Sequence, residues 1–377
     1  PPPPPPPPPF FFHAEDGIRD SVASRGLGDV YKRQIYYIGS PEIFGEGASG
    51  IHVARMCEAF SEIGHDVTLR IPISSVDEDR FFSFYGVKKS FKIEPSIGFK
   101  QGPLRHFFHG INSSIRTALL DKYDFIITRN ITFAFAASFI KKNIIVDIHH
   151  PPINYFSTLA IKRFLKSDSI FKIVCNSHGT KDILEKGFSS SRKMQVLHNG
   201  VNLKDFVPNQ SINALKDRLA IPHESKIISY IGNTYKGSGI EKMVNLSKAH
   251  RNLYFLIVGG EKQDNEQYME LIGKEQRNIL FTNHIPHVDI PNYLLISDIL
   301  LIPYEKEFTI KGDKIATDYS SPIKLFEYLS SGKPIIASSL PPFSTILRHG
   351  HDALLVDPDS YEDLNKSLIT LLKDDQL

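Results

Sequence analysis

The stretch Ser320–Ser338, SSPIKLFEYLSSGKPIIAS, reads as a short helix followed at once by a buried strand. Ser321 is a good N-cap residue and Pro322 suits the first helical position. Ile323, Phe326 and Leu329 form an apolar stripe, and Gly332 supplies the stop. Lys333-Pro334 leads into PIIAS (334–338), a continuous apolar run of the kind found in parallel strands covered on both faces. A helix start offers free backbone N–H groups and a positive dipole end, which suits a phosphate. Glu327, one to two turns further in, is placed to accept hydrogen bonds from sugar hydroxyls. The stretch points to a nucleotide or nucleotide-sugar site; the alternative is an ordinary helix–strand unit with a surface Glu.

Strands and helices alternate from Ile35 onward. IYYIG (35–39) is followed by an amphipathic helix over 50–63, with Val53, Met56, Cys57, Phe60 and Ile63 on one face, and then by DVTLRI (66–71). DFIIT (124–128), NIIVDI (143–148) and FKIVC (171–175) read as further strands, and MQVLHNGVN (194–202) as a last strand and a turn. The alternation restarts with KIISYIG (226–232), a helix over 239–249, LYFLIVGG (253–260), ILF (279–281), DILLIP (298–303) and PIIAS. Two such runs predict an α/β protein of two doubly wound, Rossmann-like domains with parallel sheets facing across a cleft. The turn dipeptide Asn199-Gly200 sets the boundary, giving domains 35–198 and 199–377.

Residues 1–34 stand apart. Pro1–Pro9 can form only polyproline II, and the segment after it resembles translated adapter sequence rather than a signal peptide. We expect a non-native leader. The 377 residues suit about two domains, and a net charge of +2 gives no argument for nucleic acid. The longest apolar candidate, ITFAFAASFI (131–140), is about half the roughly 20 residues that span a bilayer. Cys57 and Cys175 read as small buried hydrophobes in a reducing compartment. The segment 86–122 is basic, and Leu104, Phe107, Phe108, Ile111 and Ile115 recur there at helical spacing. The expectation is a core-facing helix with a solvated basic face. The alternative is peripheral docking of Lys88–Lys122 on anionic lipid or a lipid-linked acceptor.

Three further clusters bear on chemistry. Gly45 to Gly50 (GEGASG) matches G-x-G-x-x-G, yet five residues separate it from the first strand, and the second strand ends in Arg70-Ile71-Pro72 with no acid for a ribose. It reads as a backbone-exposing lip over a phosphate or sugar; a plain turn is the alternative. His149 and His150 follow a strand at the end where α/β sites form, suited to a sugar hydroxyl or a proton relay, with no metal expected. In YIGNTYKGSGIEKMV (230–244) Lys236 and nearby amides would meet a diphosphate.

Four segments, in order, resemble the retaining glycosyltransferases of family 4, which have the GT-B fold. They are EGASGIHVARMCEAFSEIGHDVTL, VLHNGVN, YIGNTYKGSGIE and SPIKLFEYLSSGKPIIASSLPPFSTILRHGHDALLVDPD. The resemblance implies an N-terminal acceptor domain and a C-terminal nucleotide-sugar domain. It implies transfer with retention, no metal ion, and a carbohydrate or lipid-linked acceptor. It further implies a cytoplasmic enzyme of hexosyl type, peripheral at the inner membrane face and acting on cell-envelope polysaccharide. Glu327 then meets the ribose, and Lys236 the donor diphosphate. Gly232 and Asn233 also line the donor. Ser321, Pro322, Ile323 and Lys324 meet phosphates and sugar, Gly47, Ala48, Ser49 and Gly50 form the lip, and His149 lies near the transferred sugar; Lys236, Glu327 and His149 are the expected catalytic set. The chain departs from the pattern in three places. The first glutamate of the family's pair falls at Tyr319, with Asp318 nearest. Asn233 and Ser238 stand where an arginine is common. The chain stops at DDQL, before the expected closing helices, as a truncated fragment would. The competing expectations are a non-catalytic GT-B nucleotide-binding subunit, a GT-B sugar-nucleotide epimerase and an NAD-dependent oxidoreductase using Gly45–Gly50.

Overall fold

A computed structural model describes residues 32–44, 48–96, 103–120, 122–140, 142–273, 275–310 and 314–373. Most of the leader, Gly45 to Gly47, Lys100 and the DDQL end lie outside the described residues.

The first half contains β1 (Gln34–Ile38), α1 (Ala48–Glu62), β2 (Asp66–Ile71), α2 (Glu78–Tyr85), β3 (Lys92–Pro95), α3 (Pro103–Ala118), β4 (Phe125–Thr128), α4 (Ile131–Ala137), β5 (Ile144–Ile148), α5 (Tyr155–Lys166), β6 (Ile170–Cys175), α6 (His178–Phe188) and β7 (Met194–Val196). The strands form a parallel sheet in the order β3-β2-β1-β4-β5-β6-β7. Alternate residues of β1 serve opposite faces, as the two-residue period of a strand requires. Ile35 and Tyr37 pack with Val53 and Ala54 of α1 and Phe81 of α2. Tyr36 and Ile38 pack with Phe133 of α4, Phe164 of α5 and Leu184 of α6.

The second half contains α7 (Ile212–Arg218), β8 (Ile227–Ile231), α8 (Ile240–Ala249), β9 (Tyr254–Val258), α9 (Lys262–Met269), β10 (Ile279–Phe281), α10 (Ile290–Ile296), β11 (Ile299–Ile302), the hairpin strands β12 (Thr309–Ile310) and β13 (Lys314–Ile315), α11 (Ile323–Ser331), β14 (Ile335–Ser338), α12 (Pro341–Ser344), β15 (Leu354–Val356) and α13 (Tyr361–Lys373). Its parallel sheet runs β10-β9-β8-β11-β14-β15. Every residue of β8, β9, β11 and β14 is buried, which is why these segments read as unbroken apolar runs. In both sheets strand order reverses between two central strands, β1/β4 and β8/β11. Sites of open α/β sheets form in the crevice beyond such a reversal.

Two expectations are corrected. Ile63 lies just past the end of α1 and is exposed, while Ala54 and Glu58 take inward places. Glu58 is satisfied there by Arg55 and by the Lys88 N–H at 2.7 Å. The larger correction concerns α3, whose apolar stripe does not face the core. Leu104, Phe107, Phe108 and Ile115 are 45–60% exposed, whereas Arg105, His109, Ser113, Ser114 and Thr117 are buried. The cause lies on β2. Arg70, 6% exposed, needs partners for a buried guanidinium. It donates to Ser113 Oγ at 3.1 Å, to Asn112 Oδ1 and to Glu94. Ser96 Oγ meets His109 Nδ1 at 2.6 Å. This polar network claims the inner face of α3 and turns the apolar face outward.

Candidate functional site

The C-terminal ends of β8 and β11 carry the more fully built part of the site. β8 is followed by Gly232, whose φ of 146° lies where side chains are rarely accommodated. A Cβ there would sit 2.3 Å from the Lys324 ammonium. Lys324 occupies that space, donating to Tyr230 Oη at 2.7 Å and lying 4.1 Å and 5.0 Å from the ring centres of Tyr230 and Tyr304. Two aromatic faces and a hydroxyl thus fix one cation at the switch point. Tyr230 is itself fully buried and donates to the Asn233 carbonyl.

The start of α11 differs from the sequence expectation. Pro322, with ψ 117°, occupies the N-cap position and no side chain caps the helix. Ser321 is withdrawn by the segment joining the two sheets: its carbonyl accepts from Asn199 Nδ2 at 2.7 Å and its Oγ from the Asn199 N–H at 3.4 Å. The start of α8 also lacks a side-chain cap, with Gly239 (φ 79°) at its N-cap. Both ends leave first-turn amides available to an anion. Ile323 and Lys324 form the first turn of α11. Glu327, one turn on, is 7% exposed and accepts from His287 Nε2 at 2.8 Å. His287 sits in the turn before α10, and no pattern in the sequence ties it to a carboxylate 40 positions away.

Lys236 is exposed, and its own carbonyl is taken by the Thr309 N–H at 3.0 Å. The loop that bears it is fixed from below. Gly237 and Gly239 lie so close to the Glu307 and Pro303 carbonyls that a Cβ would come within 2.2 Å and 1.9 Å of them. The sequence points to Lys236 as the main cation there, helped by Lys324; in the structure Lys324 is held against two tyrosine rings while Lys236 is exposed.

The first half carries a second cluster, at the C-terminal end of β5. Asp147, near the end of β5, accepts from His149 Nε2 at 2.9 Å. His52 Nε2 of α1 lies 3.5 Å from the same oxygen and Arg129 Nε 4.0 Å. Arg129 also reaches Ser49 Oγ at 3.5 Å, beside the Gly-rich segment. Burial pushes the Asp147 carboxyl upward, but the hydrogen bond from His149 and the nearby His52 and Arg129 outweigh it, holding the group well below the usual carboxylate range. Burial lowers His149 more than Asp147 raises it, so the imidazole is neutral at neutral pH. Among the described residues His52, Asp147 and His149 also form a group able to approach a metal ion, their ligand atoms lying within 4.8 Å of one another. Gly50 is pinned against Tyr85, whose hydroxyl accepts the Phe44 N–H at 3.0 Å.

The halves touch at Tyr319. Its carbonyl accepts from Ser177 Oγ at 2.7 Å and Thr180 Oγ1 at 3.2 Å, at the start of α6, and its ring lies edge-on to His150 at 5.9 Å. Asp318 is exposed, and its carbonyl abuts Gly179.

Residues 49–205 match the family model described as Glycosyltransferase Family 4, and residues 211–377 match Glycosyl transferases group 1. The two halves are family 4-like and group 1 glycosyltransferase domains. Over 282 residues the chain is 22% identical to an uncharacterized glycosyltransferase of Methanocaldococcus jannaschii, covering 68% of this chain and 67% of that protein. A putative teichuronic acid biosynthesis glycosyltransferase, TuaH of Bacillus subtilis, is 24% identical over 175 residues, or 45% of this chain; the match spans only 40% of TuaH. Anabaena HepE, solved with UDP and glucose, superposes with a TM-score of 0.64 at 13% identity, over 91% of both chains. Sucrose-phosphate synthase of Thermosynechococcus elongatus gives 0.65 at 16%, over 91% of this chain and 90% of that one. WaaG, a glycosyltransferase involved in lipopolysaccharide biosynthesis, gives 0.58 at 14%, over 90% of both. These structures share the GT-B fold with this chain. Lys324, Glu327, His287 and Lys236 belong to the group 1 domain, and the Asp147 cluster to the family 4-like domain.

Proposed function

We propose that the chain transfers a sugar from a nucleoside-diphosphate sugar to an acceptor hydroxyl, with retention at the anomeric carbon and without a metal ion. The supporting observation is the cluster at the β8/β11 switch point: one ammonium held by two tyrosines, two helix starts without side-chain caps, and the buried Glu327. A diphosphate is the anion that suits those amides and Lys324. Glu327, oriented by His287, serves as acceptor for ribose hydroxyls. Lys236, Gly232, Asn233, Ser321, Pro322 and Ile323 surround the donor, Gly47 to Gly50 form the lip, and His149 lies beside the transferred sugar. As the glycosidic bond breaks, charge grows on the leaving diphosphate, and each preorganised donor there contributes roughly 3 kcal/mol. The acceptor hydroxyl attacks on the face that the diphosphate leaves, which gives retention. The UDP held by HepE favours a uridine diphosphate hexose as donor.

The oxidoreductase alternative fits poorly. Where a dinucleotide site needs a carboxylate after the second strand, this chain has Arg70, engaged with Glu94 and α3.

For the acceptor we propose a lipid-linked cell-envelope sugar, met at the inner membrane face. The outward residues of α3 continue into exposed Phe139, Ile153, Tyr155, Phe156 and Leu159, on and beside α4 and α5. Exposed Arg116, Lys122, Lys162 and Lys166 accompany them, which suits an anionic bilayer surface. Among the described residues no helix is long and apolar enough to cross a membrane. The names of WaaG and TuaH favour an envelope acceptor.

A thermal-shift screen with UDP, GDP, ADP and NAD tests the donor half, repeated on Lys324→Met and Glu327→Ala. One diphosphate should stabilise the wild type and lose its effect in both variants. Stabilisation by NAD alone, indifferent to both changes, would sink the proposal. Product anomer by NMR and turnover after chelation test retention and metal independence.

A further inference from the structure

In the family 4-like domain three side chains from three elements converge on one carboxylate. His149 follows β5, His52 lies on α1, and Arg129 follows β4; all three face Asp147 Oδ2. The side chains are only 12–20% exposed, so this is not a loose surface pairing. An ionised carboxylate can only accept hydrogen bonds, so the imidazole nitrogen 2.9 Å away must carry the proton. His149 is then protonated on Nε2, and its Nδ1 is left as an acceptor. Arg129 extends the same network to Ser49 on the first turn of α1, the helix that bears His52. The His52 and His149 rings meet edge-on at 4.9 Å, which fixes their mutual orientation.

We propose that Asp147 is a positioning residue: it fixes His149 in the Nε2–H tautomer, so that Nδ1 accepts a hydrogen bond from a hydroxyl in the cleft, and it ties the start of α1 to that imidazole. The identity of the hydroxyl as one on the transferred sugar rests on the glycosyltransferase proposal; the tautomer does not. A metal ion at the same place would instead require His149 Nε2 and His52 Nε2 as lone-pair donors, with the Arg129 guanidinium beside it.

The test is imidazole ¹⁵N NMR on uniformly ¹⁵N-labelled protein, with His149 assigned from the His149→Gln spectrum. Wild type should show the Nε2–H tautomer at neutral pH, and added zinc should leave it unchanged. Asp147→Asn, which keeps the shape and loses the charge, should shift His149 toward the Nδ1–H form. Losing one well-placed hydrogen bond to a reacting group commonly costs roughly tenfold in rate. Transfer kcat should therefore fall by about that much in Asp147→Asn, while KM for the donor and the UDP thermal shift change less than about threefold. An Nδ1–H His149 in the wild type overturns the proposal without any variant having to fold. So does an unchanged kcat in Asp147→Asn, or zinc capture by the wild-type imidazoles. If no donor is turned over at all, the function proposal fails while the tautomer still decides this one.

Discussion

Gly232 and Lys324 act as one unit, because the absent Cβ of one is the space of the other. Gly232→Ala forces a side chain into a positive-φ position and displaces the ammonium. We expect about 1–3 kcal/mol of destabilisation in urea unfolding and about a tenfold loss of diphosphate affinity by calorimetric titration. Lys324→Met should cut kcat/KM by about a hundredfold, near the value of one oxyanion donor; a smaller loss than in Lys236→Ala would return the leading role to Lys236. His109 gives a prediction of opposite character. It is fully buried, and burial together with the Arg70 charge lowers its pKa to about 3. Arg105 and His106 add to that lowering. The unfolded chain therefore takes a proton below about pH 6.5 that the folded one refuses. Stability contributed by the neutral ring should fall as pH drops from about 6.5 toward 3, by up to ~1.4 kcal/mol per unit. His109→Gln should flatten that slope in unfolding midpoints measured from pH 7.5 to 5. At this scale the sequence exposed Glu327 and Lys324, since both lie in one capped-helix pattern. It could not expose His287 or Asp147, whose roles depend on partners that only the fold brings near.

Among the elements, the central strands were legible because burial on both faces writes itself as unbroken apolar runs, such as IISYI and YFLIV. The edge strand β3 was not, since KIEP alternates and ends in proline. The helix α3 shows why periodicity alone misleads: it fixes a stripe but not its direction. Direction came from Arg70, over 30 residues away in sequence, which demanded polar partners. The outward stripe carries a prediction of its own. Phe107→Ser with Phe108→Ser should leave thermal stability within about 0.5 kcal/mol, as surface changes do. Co-sedimentation with phosphatidylglycerol vesicles should drop severalfold; unchanged sedimentation would remove the membrane role from α3.

For the molecule as a whole, two parallel sheets were predictable from alternation, while their junction was not. The backbone carbonyl of Tyr319 docks on the start of α6. Gly179 makes that contact possible: a Cβ would lie 1.6 Å from the Asp318 carbonyl. Gly179→Ala should therefore separate the halves. Its radius of gyration by small-angle scattering should rise and transfer should fall, while diphosphate binding to the group 1 domain persists. An unchanged radius would mean that the contact does not hold the cleft.

Both cysteines of the chain, Cys57 and Cys175, are buried, and burial pushes the Cys175 thiol up to about 12 and Cys57 well above its ordinary range. Neither should react with a maleimide while the protein is folded. The native molecule is thus chemically silent toward thiol dyes. New cysteines at the exposed Lys162 and Lys248, one on each half, would be the reactive pair. Energy transfer between two fluorophores placed there would turn opening and closing of the cleft into a distance followed in real time.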